Sequence, residues 1–371
     1  MTIYYFSPEV FEPTGGVQMM YRHVDILNQA GLQAYMLHPN PPFRCTWFEN
    51  DTPIRYLSAR PFVLPLRQVA KGMSKDFSRH FSKLPRSALR SLTNAAGWKT
   101  KPTLPLLPGD CLAISELIWL GGFALFPGVP RVVFNQNAYL TFRDWTADSD
   151  PYVSRDILGM MTVSSDSESY LKMAFSSHAL PILRVHNSLN PIFSTSAQTK
   201  EQLLAYMPRK NADDAHQVLS MLSLRGSLHK WTAVKIEDAT QEEVASVLKR
   251  AAIFLSFGHP EGFGLPALEA MSAGCVVIGY HGMGGREFFH REFSVPIEFG
   301  DIRAYVEAVE SAMRRYEREP KEFSAMGQAA ADFARQTYSP ERETREVVDA
   351  WTAFLKLTRG RHRRSRRLIN E

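Results

Sequence analysis

Glu261 and Glu269 lie eight positions apart in the stretch Ser256-Phe257-Gly258-His259-Pro260-Glu261-Gly262-Phe263-Gly264-Leu265-Pro266-Ala267-Leu268-Glu269-Ala270-Met271-Ser272-Ala273-Gly274. The stretch follows an apolar run and opens a helix near Leu265. Gly262 and Gly264 let backbone N–H groups approach an anion, and the helix start near Phe263–Pro266 adds a partial positive charge. Pro266 suits the first helical turn. One carboxylate sits in the loop and the other inside the helix. So placed, they can accept hydrogen bonds from hydroxyl groups at two ends of one ligand. Sugar and ribose hydroxyls are such partners.

Other residues fit the same chemistry. Arg209-Lys210 follows an apolar run and precedes a helix, where Arg can bind phosphate bidentately and Lys acts as a point charge. Gly15-Gly16 stands between a first strand and a first helix. Gln136 and Asn137 follow the strand that ends at Phe134. Their amides can donate to oxygens but cannot act as bases near neutral pH. His259 precedes the carboxylate loop. His23 lies on the first helix, where a structural role competes with a contact to a second substrate.

The string Glu-Gly-Phe-Gly-Leu-Pro-x-x-Glu-Ala-Met-x-Ala-Gly, with Glu261-x7-Glu269, resembles the retaining glycosyltransferases of the GT-B fold, family 4 type. That resemblance implies two Rossmann-like α/β domains, each with a parallel sheet, facing a central cleft. It implies a nucleotide diphosphate sugar as donor substrate, with no further cofactor and no metal. Glu261 would bind the donor sugar hydroxyls and face the reacting carbon. Glu269 would bind the ribose. The backbone at Gly262, Phe263, Gly264 and Leu265 would hold sugar and diphosphate, with Gly15 and Gly16 approaching from the first domain.

The resemblance extends further. Gly282-Met283-Gly284-Gly285-Arg286-Glu287 is similar to the Gly-Gly-x-x-Glu loop near the nucleotide, with one residue fewer between Gly285 and Glu287. Val163-Ser164-Ser165 with the helix after it, and then Val185–Phe193, are similar to the interdomain hinge, with Asn187-Ser188 where the family has Asn-Gly. Two departures stand out. The family's diphosphate-clamping Arg and Lys lie about five residues apart, whereas Arg209 and Lys210 are adjacent. The family's His after the strand ending at Phe134 is missing, which leaves Gln136, Asn137 and His23 as acceptor-side candidates.

The chain supplies the elements to position these groups. Ile3–Phe6, the helical spacing from Val17 to Asn28 and Leu32–Leu37 read as a βαβ unit. Strands follow near 110–120, Arg131–Phe134, Met160–Val163 and Arg184–His186. A second α/β series begins near Leu203, with strands at Leu203–Met207, Thr232–Ile236, Ile253–Phe257 and Cys275–Tyr280. Thr240-Gln241-Glu242-Glu243 is a capping-box signature. The expected division is an acceptor-side domain over 1–190 with a basic insertion at about 60–105, and a donor-binding domain over 195–340. A helix over 341–357 would cross back to the first domain, followed by a basic tail over 358–371. Ligands of parallel sheets sit at the carboxyl ends of the strands, so the loops after Phe6, Phe134, Val163, Met207 and Phe257 are the places to look.

Composition narrows the class. The chain has 371 residues, 44% hydrophobic and 22% charged, which is ordinary for a globular protein of two or three domains. Cys45, Cys111 and Cys275 lie far apart, which points to a reducing compartment and away from a zinc site or disulfide framework. Neither a signal peptide nor a membrane-spanning run is expected, giving a cytoplasmic location with possible attachment to the inner face of a membrane.

The net charge of +5 is unevenly placed, with eleven Lys/Arg against one acid between Arg55 and Lys101, and six arginines between Arg359 and Arg367. Arg67, Lys71, Lys75, Arg79, Lys83, Arg86 and Arg90 share one face of a helix, with Pro85 as a break. Such a face suits an anionic membrane surface or an acidic glycan. Charge alone would permit nucleic-acid binding, but no nucleic-acid motif supports it. The expected activity is retaining transfer of a sugar to a glycan or lipid-linked acceptor, in surface polysaccharide or glycolipid synthesis. Rivals are a nucleotide-sugar epimerase of the same fold and a catalytically silent scaffold that binds glycans or a partner transferase.

Overall fold

The computed structural model describes residues 1–57, 103–117, 122–143, 145–146, 148, 150–195 and 199–369, without side chains beyond Thr358. The basic segment 67–90 therefore lies outside the described residues, as do the side chains of the arginine tail.

The chain forms two parallel sheets. The first has seven strands: β1 (Ile3–Phe6), β2 (Ala34–His38), β3 (Ile54–Tyr56), β4 (Cys111–Ser115), β5 (Arg131–Asn135), β6 (Ile157–Thr162) and β7 (Ile182–Arg184). Their order is β3-β2-β1-β4-β5-β6-β7. Helices α1 (Gly15–Gln29) and α2 (Ser165–Ala174) supply crossovers, as parallel pairing requires. The second sheet has five strands in the order β12-β11-β10-β8-β9. These are β8 (Glu201–Tyr206), β9 (Thr232–Lys235), β10 (Ala251–Ser256), β11 (Val276–Tyr280) and β12 (Ser294–Ile297). Helices α3 (Ala212–Leu224), α4 (Gln241–Arg250), α5 (Leu265–Ser272), α6 (Ile302–Arg318), α7 (Pro320–Thr337) and α8 (Pro340–Ile369) complete the chain.

Two of the three inner strands of the second sheet, β10 and β11, are buried at every position. That is why they read as continuous apolar runs rather than alternating ones. The capping box at Thr240 and Glu243 forms with both of its hydrogen bonds. Each of the three cysteines is buried with a free thiol.

Two strands carried no signal in the sequence. β3 has three residues, and β12 contains Pro296. Both lie at sheet edges, where a proline costs no ladder bond on its open side. The last helix runs to Ile369, well past Leu357. It packs on β6, where a side chain at Gly159 would collide with the Phe354 ring at 2.6 Å. Its first turns hold the 185–190 segment. Glu343 accepts from the Ser188 hydroxyl at 2.5 Å, and Glu346 accepts from the His186 N–H at 2.8 Å and ring nitrogen at 2.7 Å. Burial pushes the Glu346 carboxyl up, but the bonds from His186 and Arg342 outweigh it and hold the group at about 2.

Close packing groups the chain into two compact units. One comprises Met1–Ser115 and Trp119–Val132, the other Glu116–Ile118 and Val133–Glu371. The second unit contains both glutamates of the 261–269 stretch, the Arg209-Lys210 pair and the loops after β5 and β6.

Candidate active site

The site grows from loops at the carboxyl ends of β8, β10 and β11. After β10 the chain turns through Phe257–Gly264 and enters α5. Gly264 stands at the N-cap of α5 with φ 100°, a left-handed conformation that glycine adopts without a Cβ penalty, and no side chain caps the helix. The Glu261 N–H donates to the Gly282 carbonyl at 2.7 Å, and its carbonyl accepts from the Gly284 N–H at 3.1 Å. These bonds fasten the loop after β10 to the loop after β11.

The loop after β8 joins them. Lys210 Nζ donates to the Pro260 carbonyl at 2.6 Å and lies 2.9 Å from Glu261 Oε1. Asn211, at the N-cap of α3 with φ 51°, gives its helix no side-chain cap. Its amide instead donates to the carbonyls of Phe257 at 2.7 Å and His259 at 3.0 Å. Of the adjacent cations, Lys210 is therefore drawn into the carboxylate loop, while Arg209 stays exposed. Glu269 lies on α5, partly exposed.

His259 stacks on Phe299 with ring centroids 4.1 Å apart. Burial, then the charges of Lys210 and Arg286, push its pKa down. His281 was not singled out by sequence. Its Nδ1 accepts from the Met283 N–H at 3.0 Å, and burial, then Arg286, lowers its pKa. Gly285 lies in the short 3-10 turn Gly284–Glu287.

The loop after β5 reaches the carboxylate loop through its backbone. A Cβ on Gly262 would lie 2.1 Å from the Gln136 carbonyl oxygen and 2.6 Å from the Asn137 Cα. Glu116 accepts from the N–H groups of Gln136 at 3.4 Å and Asn137 at 3.1 Å. The Asn137 side chain accepts from the Tyr139 N–H at 3.2 Å. Its oxygen is thus committed to a turn. Gln136 is half-buried.

The loop after β6, read from sequence as part of the hinge, contributes side chains to the carboxylate loop. The hydroxyls of Ser164 and Ser167 both donate to the Gly262 carbonyl, at 2.6 and 3.2 Å. Asp166 accepts from the Tyr139 hydroxyl at 2.5 Å and lies 3.7 Å from Arg286. Glu287 is not left facing a ligand. Its carboxylate accepts from the Ser165 N–H and hydroxyl at 2.8 Å each, from Arg184 at 2.6 Å and from Tyr338 at 2.8 Å. With four donors on it, this carboxylate ties together the start of α2, β7 and the turn between α7 and α8. No sequence signal could have shown this, because the partners lie 51 to 122 positions away.

In the other compact unit, Gly15 and Gly16 form the first turn of α1, and Thr14 caps it by accepting from the Val17 N–H at 3.4 Å. His23 is fully buried and shares a hydrogen bond with the Tyr5 hydroxyl at 3.0 Å. Desolvation drives its pKa down to about 3. The expectation of an acceptor-side contact is corrected to a core position, because no part of the ring is exposed to a substrate.

Residues 227–331 match the family model of Glycosyl transferases group 1. The match covers this segment of the chain alone. It contains Glu261, Glu269 and the loops after β10 and β11. The group 1 match is joined by a curated relative, the Alpha-1,6-glucosyltransferase of Actinobacillus pleuropneumoniae serotype 7 (strain AP76). It is 31% identical over 156 residues, covering 41% of this chain and 46% of that protein. The chain spans less than half the length of the curated relatives it matches.

The whole fold is similar to solved glycosyltransferase structures. Sucrose-phosphate synthase from Thermosynechococcus elongatus superposes with a TM-score of 0.63 at 13% identity, covering 96% of this chain and 99% of that one. A variant of TarM from S. aureus, in complex with fondaparinux, alpha-GlcNAc-glycerol and UDP, superposes with a TM-score of 0.65 at 10% identity, covering 95% and 99%. The α/β architecture with two parallel sheets is that of the GT-B glycosyltransferases, as the resemblance around the group 1 segment implied.

Proposed function

We propose that this chain is a glycosyltransferase that moves a sugar, with retention of configuration and without a metal ion, from a nucleotide diphosphate sugar to a glycan or lipid-linked acceptor. The observation that carries this reading is the convergence of Lys210 and Glu261, 2.9 Å apart, beside two helix starts, α3 and α5, that have no side-chain cap. Uncapped helix starts present N–H groups and partial positive charge to an anion. A lysine beside them adds a full charge, so a diphosphate is the ligand that fits.

The division of labour follows from residue chemistry. Lys210, with the exposed Arg209, and the α5 start at Phe263–Leu265 stabilise charge developing on the leaving diphosphate. Glu261 accepts from sugar hydroxyls, and Glu269, further along α5, accepts from the ribose. Positive charge from these groups supplies what a divalent cation supplies elsewhere. The loop after β5 carries no histidine, so the leaving phosphate takes the acceptor proton. Gln136 lies on the acceptor side, and residues up to about 190 bind the acceptor while 195–340 bind the donor. Nucleotide and glycan partners are consistent with the UDP and glycan ligands in the TarM complex. Attachment to an anionic membrane would run through 67–90 and belongs to the same proposal.

The test is turnover across a panel of nucleotide sugars with an acceptor extract, for wild type and Glu261→Ala. Wild-type transfer that Glu261→Ala abolishes supports the reading. A free epimerised sugar nucleotide, or no turnover in either protein, overturns it in favour of an epimerase or a silent scaffold.

A further inference from the structure

The first turn of α2 holds one particular peptide group. Ser164 and Ser167 both donate to the Gly262 carbonyl, at 2.6 and 3.2 Å, and the Ser167 N–H donates to Ser164 Oγ at 3.1 Å. Both serines are fully buried. Capping α2 requires only the Ser164 oxygen as acceptor. The Ser167 hydroxyl has no part in the cap, and its hydrogen goes to Gly262.

The carbonyl of Gly262 and the N–H of Phe263 belong to one planar peptide group, and in its trans form they point in opposite directions. Two hydroxyls on the oxygen therefore fix the direction of the N–H. They also polarise the amide, because hydrogen bonds in series strengthen one another. The peptide has little freedom to turn. Positions that a Cβ would take on Gly284 lie 2.1 Å from the Gly262 oxygen and 2.7 Å from the Phe263 nitrogen, and the Gln136 backbone closes the other approach to Gly262 at 2.1 Å. Among the described residues the Phe263 N–H donates to no backbone carbonyl. It lies two residues before α5, in the stretch proposed above to hold the diphosphate.

We infer that Ser164 and Ser167 are positioning residues that aim and strengthen the Phe263 N–H as a hydrogen-bond donor to an anionic ligand oxygen. The ligand half of this inference rests on the proposed donor site; the clamp itself does not. A donor fixed in advance costs no reorganisation when charge develops on the leaving group. The effect therefore falls on kcat more than on KM.

The test labels phenylalanine with 15N and follows the Phe263 amide signal in the full chain, with UDP, GDP and ADP as probes. Ser167→Ala leaves the Ser164 cap intact. It is expected to move the Phe263 signal and to lower kcat about tenfold with donor KM within twofold. Ser167→Thr, which keeps the hydroxyl, is expected to restore both. An unmoved Phe263 signal in Ser167→Ala overturns the clamp. If a nucleotide raises the melting temperature of wild type while leaving the Phe263 signal in place, the ligand role falls and the donor-site reading survives. If none of the three raises the melting temperature or moves the signal, that reading and the ligand role fall together.

Discussion

Lys210 Nζ lies 2.9 Å from Glu261 Oε1 and reaches past it to the Pro260 carbonyl at 2.6 Å. The pair is partly exposed, at 32% for the lysine and 22% for the glutamate. Exposed ion pairs contribute about 0–1 kcal/mol to stability. Lys210→Ala is therefore expected to change the unfolding free energy by no more than about 1 kcal/mol while lowering turnover about 100-fold, the scale of removing one charge-stabilising group. Denaturant titration alongside initial rates checks this. A large loss of stability with unchanged rates would make the pair structural.

Glycine at 262 is required by the close approach of another loop. Gly262→Ala places a Cβ 2.1 Å from the Gln136 oxygen and 2.6 Å from the Asn137 Cα, both backbone atoms. Overpacking of this kind costs about 1–3 kcal/mol. Gly264→Ala meets only the Phe288 ring, at 3.5 Å, but must hold φ 100°, a left-handed cost of about 1–2 kcal/mol. Melting curves are expected to show both variants destabilised, with the larger loss at 262, and nucleotide-induced stabilisation reduced at both.

Glu287 and Arg184, 2.6 Å apart, are mostly buried at 11% and 22% exposure. Removing one partner of a buried pair costs about 3–5 kcal/mol. Glu287→Ala is expected to fall in or just below that range by chemical denaturation. Combining it with Arg184→Ala is expected to cost clearly less than the sum of the two single changes, because the first already removes the shared bond. Additive losses would mean that the two residues act separately.

Acid destabilises the first compact unit through two histidines. The His38 Nδ1–H donates to the Ser7 carbonyl at 2.9 Å, and burial keeps the ring neutral, so its Nε2 accepts from the Tyr21 hydroxyl at 2.7 Å. Burial lowers His38 to about 4 and His23 to about 3. An unfolded histidine titrates near 6.5. Between these values the unfolded chain binds the extra protons, so stability is full above about pH 6.5 and falls as pH drops towards 4. Each histidine contributes a slope of about 1.4 kcal/mol per pH unit. His23→Gln is expected to reduce the wild-type slope by up to about 1.4 kcal/mol per pH unit, measured by denaturant titration from pH 7 to 5.

The alternating α/β pattern was legible because inner strands of a parallel sheet are buried on both faces and read as nearly continuous apolar runs, as β10 and β11 do. The edge strands β3 and β12 were not, since three residues and a proline give no pattern. At the site, the loop carrying Glu261 and Glu269 was legible because glycine spacing and a helix start are local features. The bonds that Ser164, Ser167 and Glu287 make were hidden, because they depend on partners that only folding brings near. His23 could have been placed from its neighbours. Met19, Met20, Ile26 and Leu27, three and four positions away, share its helix face and are buried with it.

The central claim is that Glu261 holds the sugar and Glu269 the ribose of one donor. Calorimetric titration of the donor sugar nucleotide, and of its nucleoside diphosphate alone, into wild type, Glu261→Ala and Glu269→Ala tests this directly. The account predicts that Glu261→Ala removes the affinity gained from the sugar without weakening the bare diphosphate. Glu269→Ala is predicted to weaken both ligands about tenfold, near 1.4 kcal/mol. Equal weakening of both ligands by Glu261→Ala, or no effect of Glu269→Ala on either, would contradict it.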